Sequence, residues 1–209
     1  MAQNSDHWND VYKQRAPTAV SWFQADAQAS LELIAATRAR LDGPVIDIGA
    51  GSSLLVDGLL ARGYCDVTLL DVAESAFLEP KRRLAGRTTG VVQYIVSDVT
   101  RWKPERKYAV WHDRAAFHFL AKEHERAAYR TALASALEPD AHAIIATFAI
   151  DGPERCSGLP VQRYSADLLA KEFSGILEPV EERSELHVTP KGSKQSFVFV
   201  RFRRVPLRA

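Results

Sequence analysis

The run PVIDIGAGSSLLVDGLL (Pro44–Leu60) sets Asp47 two residues before Gly49, with Gly51 close behind and Ser52 and Ser53 opening a helical pattern. A strand, a glycine turn and a helix start let the backbone approach a ligand, because glycine has no Cβ in the way. The same turn aims the unpaired N–H groups of a helix N-terminus at any anionic group bound there. Asp71 ends the next apolar run, 20 residues after Gly51, where a carboxylate can accept hydrogen bonds from both hydroxyls of a ribose. Leu54 stands where a dinucleotide loop has its third glycine, so that pattern is incomplete. A second cluster, WHDRAAFHFL (Trp111–Leu120), carries His112, Asp113, Arg114 and His118 at the end of an apolar run. Imidazole and carboxylate groups there can orient an acceptor or take its proton, which makes His112, Asp113 and His118 the candidate catalytic residues. The structural alternative is a local ion pair between Asp113 and Arg114, with His118 packed or capping.

These groups need a scaffold, and the apolar pattern supplies one. Val45–Ile48 is a short strand and Leu54–Ala61 a helix; Val67–Leu70 is a strand followed by a helical pattern through Phe77, Leu78 and Leu84. Val91–Val96 and Tyr108–Trp111 read as strands three and four, Lys122–Leu137 as a helix and Ala143–Ala149 as strand five. Such alternation implies a mostly parallel sheet covered by helices on both faces. Ser165 is the expected N-cap of a helix to Phe173 with Leu168 and Leu169 facing inward. Ile176–Val188 and Gln195–Arg203 read as long strands joined through Thr189–Lys194, whose Pro and Gly suit an antiparallel hairpin. Phe197–Val200 has no polar face and belongs inside the sheet. Before the first strand, Trp8, Tyr12, Trp22 and Phe23 punctuate a polar stretch, then a helical pattern runs through Leu31, Leu33, Ile34 and Leu41. The expected organisation is a single domain over residues 1–209, with an N-terminal helical cap (1–42) and a doubly wound core (43–209).

Composition narrows the class. Hydrophobic residues make up 46% of the chain and the formal charge is +1, which gives no electrostatic reason for a nucleic acid or anionic membrane partner. Cys65 and Cys156 match no metal or redox spacing, so free thiols in a reducing, cytoplasmic setting and no metal site are expected. No apolar run has the length of a membrane span, and the first residues lack a signal-like apolar segment. Cys65 and His124 read as structural, and RFRRVPLRA as a charged strand end. Nothing in the sequence defines the oligomeric state.

VIDIGAGSS (Val45–Ser53) resembles motif I of the class I, seven-stranded S-adenosylmethionine-dependent methyltransferases, in which an acidic residue stands two places before the first glycine. TLLDVAE (Thr68–Glu74), VSDVTRW (Val96–Trp102) and the terminal hairpin extend the resemblance along most of the chain. The bracket from WNDVY to WHDRAAFHFL is similar to a branch containing lysine methyltransferases of metabolic enzymes and elongation factors, and to bacterial small-acid methyltransferases. The resemblance implies a Rossmann-like α/β fold with a seven-stranded, mostly parallel sheet and S-adenosylmethionine as cofactor.

It also implies roles. Gly49, Ala50 and Gly51 pass under the amino-acid part of the cofactor, and Asp47 holds its ammonium. Asp71 takes the ribose hydroxyls, Val72 packs on adenine, Asp98 accepts from the adenine amino group and Val99 offers a backbone N–H. Ser52 and Ser53 replace the usual small loop residues, the family's third glycine falling at Ser53, and a serine hydroxyl there can bond the cofactor carboxylate. His112 contacts the cofactor or the reaction centre. Tyr12 and Trp22 close over the cofactor, with an aromatic face near the sulfonium or an acceptor ammonium. Arg155 and Arg163, in the long loop after strand five, can grip a substrate carboxylate. The Asn/Asp-Pro-Pro-aromatic motif of base and glutamine methylation is absent, as is a paired-glutamate loop of the arginine type. The expected reaction is methyl transfer to an N or O acceptor, a protein lysine being slightly preferred. A small carboxylic acid or another small molecule is the alternative acceptor, and a non-catalytic nucleotide-binding module the alternative class. An NAD-linked oxidoreductase is disfavoured by Leu54 and the hairpin.

Overall fold

The computed structural model describes residues 2–86 and 90–206. Three helices of the N-terminal half are α1 (Ala2–Gln14), α2 (Gln28–Ala36) and α3 (Leu55–Ala61); strands β1 (Val45–Ile48) and β2 (Asp66–Asp71) alternate with the last of them. A 3-10 turn (Glu74–Phe77) runs into α4 (Leu78–Leu84), followed by β3 (Val91–Val96), β4 (Tyr108–Arg114), α5 (Glu123–Ala136) and β5 (Leu137–Phe148). A two-stranded ribbon, β6 (Arg155–Cys156) with β7 (Leu159–Pro160), precedes α6 (Ala166–Glu172), β8 (Leu177–Val188) and β9 (Lys194–Arg204). The main sheet has seven strands in the order β3-β2-β1-β4-β5-β9-β8. The first five are parallel, and β9 lies antiparallel between β5 and β8. The expected architecture is therefore the observed one.

Apolar residues divide between the two faces of the sheet. Val45, Val110, Ile144, Phe197 and Phe199 pack against α2, α3 and the 3-10 turn before α4. Ile46, Trp111, Ile145, Val200 and Phe202 pack against α5 and α6. The period of two along a strand explains the division, since neighbouring side chains point to opposite faces. Phe197–Val200 is buried throughout, as its uniformly apolar run requires.

Several boundaries differ from expectation for local reasons. β4 continues beyond Trp111 because the polar residues His112 and Asp113 sit directly beside Asp47 and Ile48 of β1 in the parallel ladder. β5 begins at Leu137 rather than Ala143; the register shift opposite Tyr108/Val110 and the positive φ of Asp140 absorb the turn-like Glu-Pro-Asp segment as an irregularity. The second helix stops at Ala36, leaving Leu41 exposed. The Ser165 side chain accepts from the Leu168 N–H as an N-cap, but Leu168 faces solvent and only Leu169 of that pair is buried. Of RFRRVPLRA, residues 201–204 end β9 and Arg208 lies outside the described residues.

Phe199 is fully buried in the central part of β9. Phe199→Ala is expected to cost about 3–5 kcal/mol of unfolding free energy, read as a lower urea midpoint at unchanged slope.

Candidate functional site

Strand order reverses between β2-β1 and β4-β5, so the connections that leave the C-terminal ends of β1 and β4 depart toward opposite faces of the sheet and leave a crevice at the strand tips. A cleft with a volume of about 120 Å³ opens there. Its floor comes from four strand ends: Ile48 and Gly49 after β1, Leu70 to Val72 at β2, Ser97 to Val99 after β3, and Arg114 to Ala116 at β4. Trp8, Tyr12, Trp22, Phe119, Leu120 and Cys156 make the walls. A smaller hollow adjoins it across Trp22, Gly49 and Arg114, and is bordered by Ser30, Asp47, Ala50, Ser52, Ser53 and His112.

Both loop glycines are needed for shape. Gly49 has φ +62°, and a Cβ there would lie 2.6 Å from the Ala116 Cβ; Gly51 has φ +55°, and a Cβ would lie 2.5 Å from the Tyr12 hydroxyl oxygen. Arg83 of α4 braces the following residues, donating to the carbonyls of Ser52 and Ser53 while forked onto Asp57. Asp71 accepts from the N–H of Gly51 through Oδ2 and from that of Ala73 through Oδ1, both at 2.9 Å. Burial still outweighs these bonds and lifts its pKa to about 6. Asp98 Oδ1 accepts from the N–H and hydroxyl of Thr100, forming a local turn that holds its carboxylate at the cleft.

The last four residues of β4 part company by strand period. His112 and Arg114 point to one face, Trp111 and Asp113 to the other. His112 Nδ1 donates to Asp47 Oδ1 at 2.7 Å, and its Nε2 meets the Ser30 hydroxyl of α2 at 2.9 Å. His112 and Asp47 thus border the smaller hollow and not the main cleft. Asp113 is fully buried, accepting from the N–H groups of Ala116 and Phe117 and from the Tyr129 hydroxyl at 2.7 Å. That hydroxyl in turn accepts from Trp111 Nε1. Burial lifts the Asp113 carboxyl to about 6. No Asp113–Arg114 ion pair forms: Arg114 Nη2 lies 3.5 Å from Glu185 Oε1 of β8 instead.

His118 is also fully buried, between the rings of Phe119 and Phe148. Its Nδ1 accepts weakly from the Phe148 N–H at 3.4 Å, and its Nε2 has no partner among the described residues. Burial, with the nearby Arg114 charge, lowers its pKa to about 3. Neither Asp113 nor His118 lines the cleft. Arg155 donates to the Gly158 carbonyl, and Arg163 to the Gly152 carbonyl and Glu154; both stay within their own loop, away from the cleft lining.

The aromatic wall is assembled by α1. Trp8 and Tyr12, one helical turn apart, share a face, while Asn9 ties the helix down by accepting from the N–H and hydroxyl of Ser75. Trp8 meets Trp22 and Phe119 edge-on at centroid distances of 5.6 and 5.2 Å, and Tyr12 meets Trp22 at 6.2 Å. Burial and the Asp71 carboxylate push the Tyr12 phenol well above its usual range, so it stays a hydroxyl. Tyr12, Trp22, Asp71, Val72, Asp98 and Val99 are thereby brought to one cleft with Gly49. Sequence reading missed Arg114, Phe119 and Cys156 as lining residues, and Ser30, Arg83 and Tyr129 as supports.

Among the described residues no cluster of three or more His, Cys, Asp or Glu is placed to hold a metal ion, and no helix is long and apolar enough to cross a membrane.

The His118 imidazole opposes acid stability. The unfolded chain takes up a proton below about pH 6.5, whereas the folded ring resists protonation down to about pH 3. Stability is therefore lost as pH falls through that window. His118→Gln should lose less stability than wild type between pH 6.5 and 4, measured by urea unfolding at each pH.

No protein-family model and no curated protein matches the chain. Solved structures do. One was determined in work on the conversion of a disulfide bond into a thioacetal group during echinomycin biosynthesis; it is 23% identical, with a TM-score of 0.75 over 96% of this chain and 92% of that one. Another is the Burkholderia thailandensis 1,6-didemethyltoxoflavin-N1-methyltransferase with bound 1,6-didemethyltoxoflavin and S-adenosylhomocysteine, 21% identical with a TM-score of 0.71 over 98% and 85% of the two chains. The N-methyltransferase NodS from Bradyrhizobium japonicum, in complex with S-adenosylhomocysteine, is 12% identical with a TM-score of 0.69 over 96% and 100%. The chain has the fold of the class I S-adenosylmethionine-dependent methyltransferases.

Proposed function

We propose that the protein transfers a methyl group from S-adenosylmethionine to a small-molecule acceptor. The observation that carries this reading is the cleft itself, which gathers the loop glycine Gly49, the Asp71 and Asp98 carboxylates and a wall of aromatic rings at the switch point of the sheet. Solved structures of the same fold that hold S-adenosylhomocysteine add support.

The residues present fit this cofactor. Gly49 and Gly51 keep the loop free of side chains where its amino-acid part would lie, with Ala50, Ser52 and Ser53 beside them. Asp47, buttressed by His112, is the partner for the ammonium. Asp71 receives the ribose hydroxyls, Val72 packs on the adenine, and Asp98 and the Val99 N–H recognise its edge. When bound, the cofactor supplies a methyl group already activated on a sulfonium, so the chain has to align and desolvate rather than generate a nucleophile. Tyr12, Trp8, Trp22 and Phe119 exclude water above the strand ends and present π-faces suited to a cation. His112 positions Asp47, Asp113 braces the turn after β4, and His118 is too weakly basic and too enclosed to act as a general base.

An acceptor lysine, the preference of the sequence reading, has to bring an ammonium beside the buried guanidinium of Arg114. Like charges at short range in a poorly solvated cleft disfavour that approach. A neutral or anionic small molecule meets no such barrier. Arg155 and Arg163 are not its contacts in this reading.

S-adenosylhomocysteine at 100 times its dissociation constant should stabilise the protein by about 2.7 kcal/mol in thermal unfolding, whereas NADH should not. Asp71→Ala should remove most of that shift while the protein remains folded; an unchanged shift would overturn the ribose assignment. Because Asp71 titrates near pH 6 and accepts best when ionised, affinity for S-adenosylhomocysteine should rise between pH 5 and 7.5 in calorimetry. Asp71→Asn should flatten that rise.

A further inference from the structure

Arg114 is the one charged side chain of the cleft lining whose donors are left without partners. Its side chain is only 9% exposed, yet Nε and Nη2 have no hydrogen-bond partner among the described residues. A buried donor in that state costs about 1–3 kcal/mol, so a site that keeps one is built for an acceptor that arrives. Nε–H and Nη2–H lie along one edge of the guanidinium, the fork that matches the two oxygens of a carboxylate.

The remainder of the guanidinium is held. Nη1 donates to the Trp22 carbonyl at 3.3 Å, and the Phe197 ring lies beneath, 4.3 Å from the guanidinium carbon. Glu185 Oε1 lies 3.5 Å from Nη2 and offsets part of the charge, while also accepting from the Gln24 amide at 3.0 Å. Cys156, His118 and His187 beside it add no negative charge at neutral pH, and the carboxylates of the same cleft are those of Asp71 and Asp98. Burial raises the Cys156 thiol to about 11 and lowers His118 and His187, while Arg114 itself, lowered to about 10, keeps its proton. The cleft lining therefore includes an oriented cation held between the Phe197 ring and the Trp22 carbonyl.

We propose that Arg114 anchors a carboxylate on the methyl acceptor, and that this acceptor is a small, flat organic acid whose body lies against Trp8, Trp22 and Phe119. The proposal rests on the methyl-transfer reading above and narrows its acceptor. A bidentate contact fixes the acid in orientation as well as in place, and alignment is what an in-line transfer demands. The carboxylate of the cofactor's own amino-acid part is the rival source for the same fork. It has separate partners in reach of the smaller hollow, the Ser52 and Ser53 hydroxyls.

Benzoate and its neutral isostere benzamide are suitable probes, titrated into wild type, R114Q and R114K with S-adenosylhomocysteine present. Wild type should bind benzoate about tenfold or more tightly than benzamide, and R114Q should lose that preference. R114K keeps the charge without the fork and should recover only part of it. S-adenosylhomocysteine itself should bind wild type and R114Q within about twofold. Equal binding of benzoate and benzamide to wild type overturns the anchor, and this comparison stands even if the variants fail to fold. Weakened S-adenosylhomocysteine with unchanged methylthioadenosine in R114Q moves the carboxylate to the cofactor and overturns the acceptor assignment. Failure of wild type to bind S-adenosylhomocysteine at all strikes the methyl-transfer reading instead.

Discussion

A single buried carboxylate organises the C-terminal end of the parallel strands of this sheet. Asp113 ties the N–H groups of Ala116 and Phe117 and the Tyr129 hydroxyl to the tip of β4. Its burial works against its charge, as the raised pKa records, and three donors keep it in place. The turn so held puts Ala115 in a left-handed conformation, with φ of 70°, and seats Ala116 against Gly49. From there the chain delivers Phe119 to the aromatic wall and Arg114 to the cleft. The glycine requirement at position 49 is thus the imprint of a turn that lies 67 residues later.

β4 does two tasks because a strand shows alternate residues to opposite faces. Trp111 and Asp113 join Tyr129 in a hydrogen-bonded brace under α5. His112 and Arg114 serve the other face, the first completing the Asp47–His112–Ser30 chain and the second entering the cleft. Three polar residues in succession would be costly in a buried strand, yet each finds its own partners except the Nε and Nη2 donors of Arg114. That exception is where a ligand has something to add.

The N-terminal helix is part of the site. Without α1 the strand tips would open to water on the side of Trp8 and Tyr12. The Asn9–Ser75 contacts anchor it to the segment that follows β2, and so tie the aromatic wall to the strand end that carries Asp71. The contact of the Tyr12 hydroxyl with Gly51 then couples this cap to the loop beneath.

What was legible in the sequence was local. Gly49, Gly51 and Asp71 declare themselves because strand, turn and helix are contiguous and their spacing reports a backbone geometry. The alternation of strands and helices and the apolar run Phe197–Val200 likewise fix class and hairpin, since burial on one or both faces leaves a periodic mark. Tertiary structure alone decided which polar residues of WHDRAAFHFL line the cleft. Asp113 finds Tyr129 on α5, His112 finds Ser30 and Asp47 more than 60 residues away, and Arg114 turns inward against Phe197 and toward Glu185. Arg155 and Arg163, attractive by composition, spend their donors on their own loop. A one-residue shift in strand register exchanges the two faces, and register depends on distant neighbours that no local pattern contains.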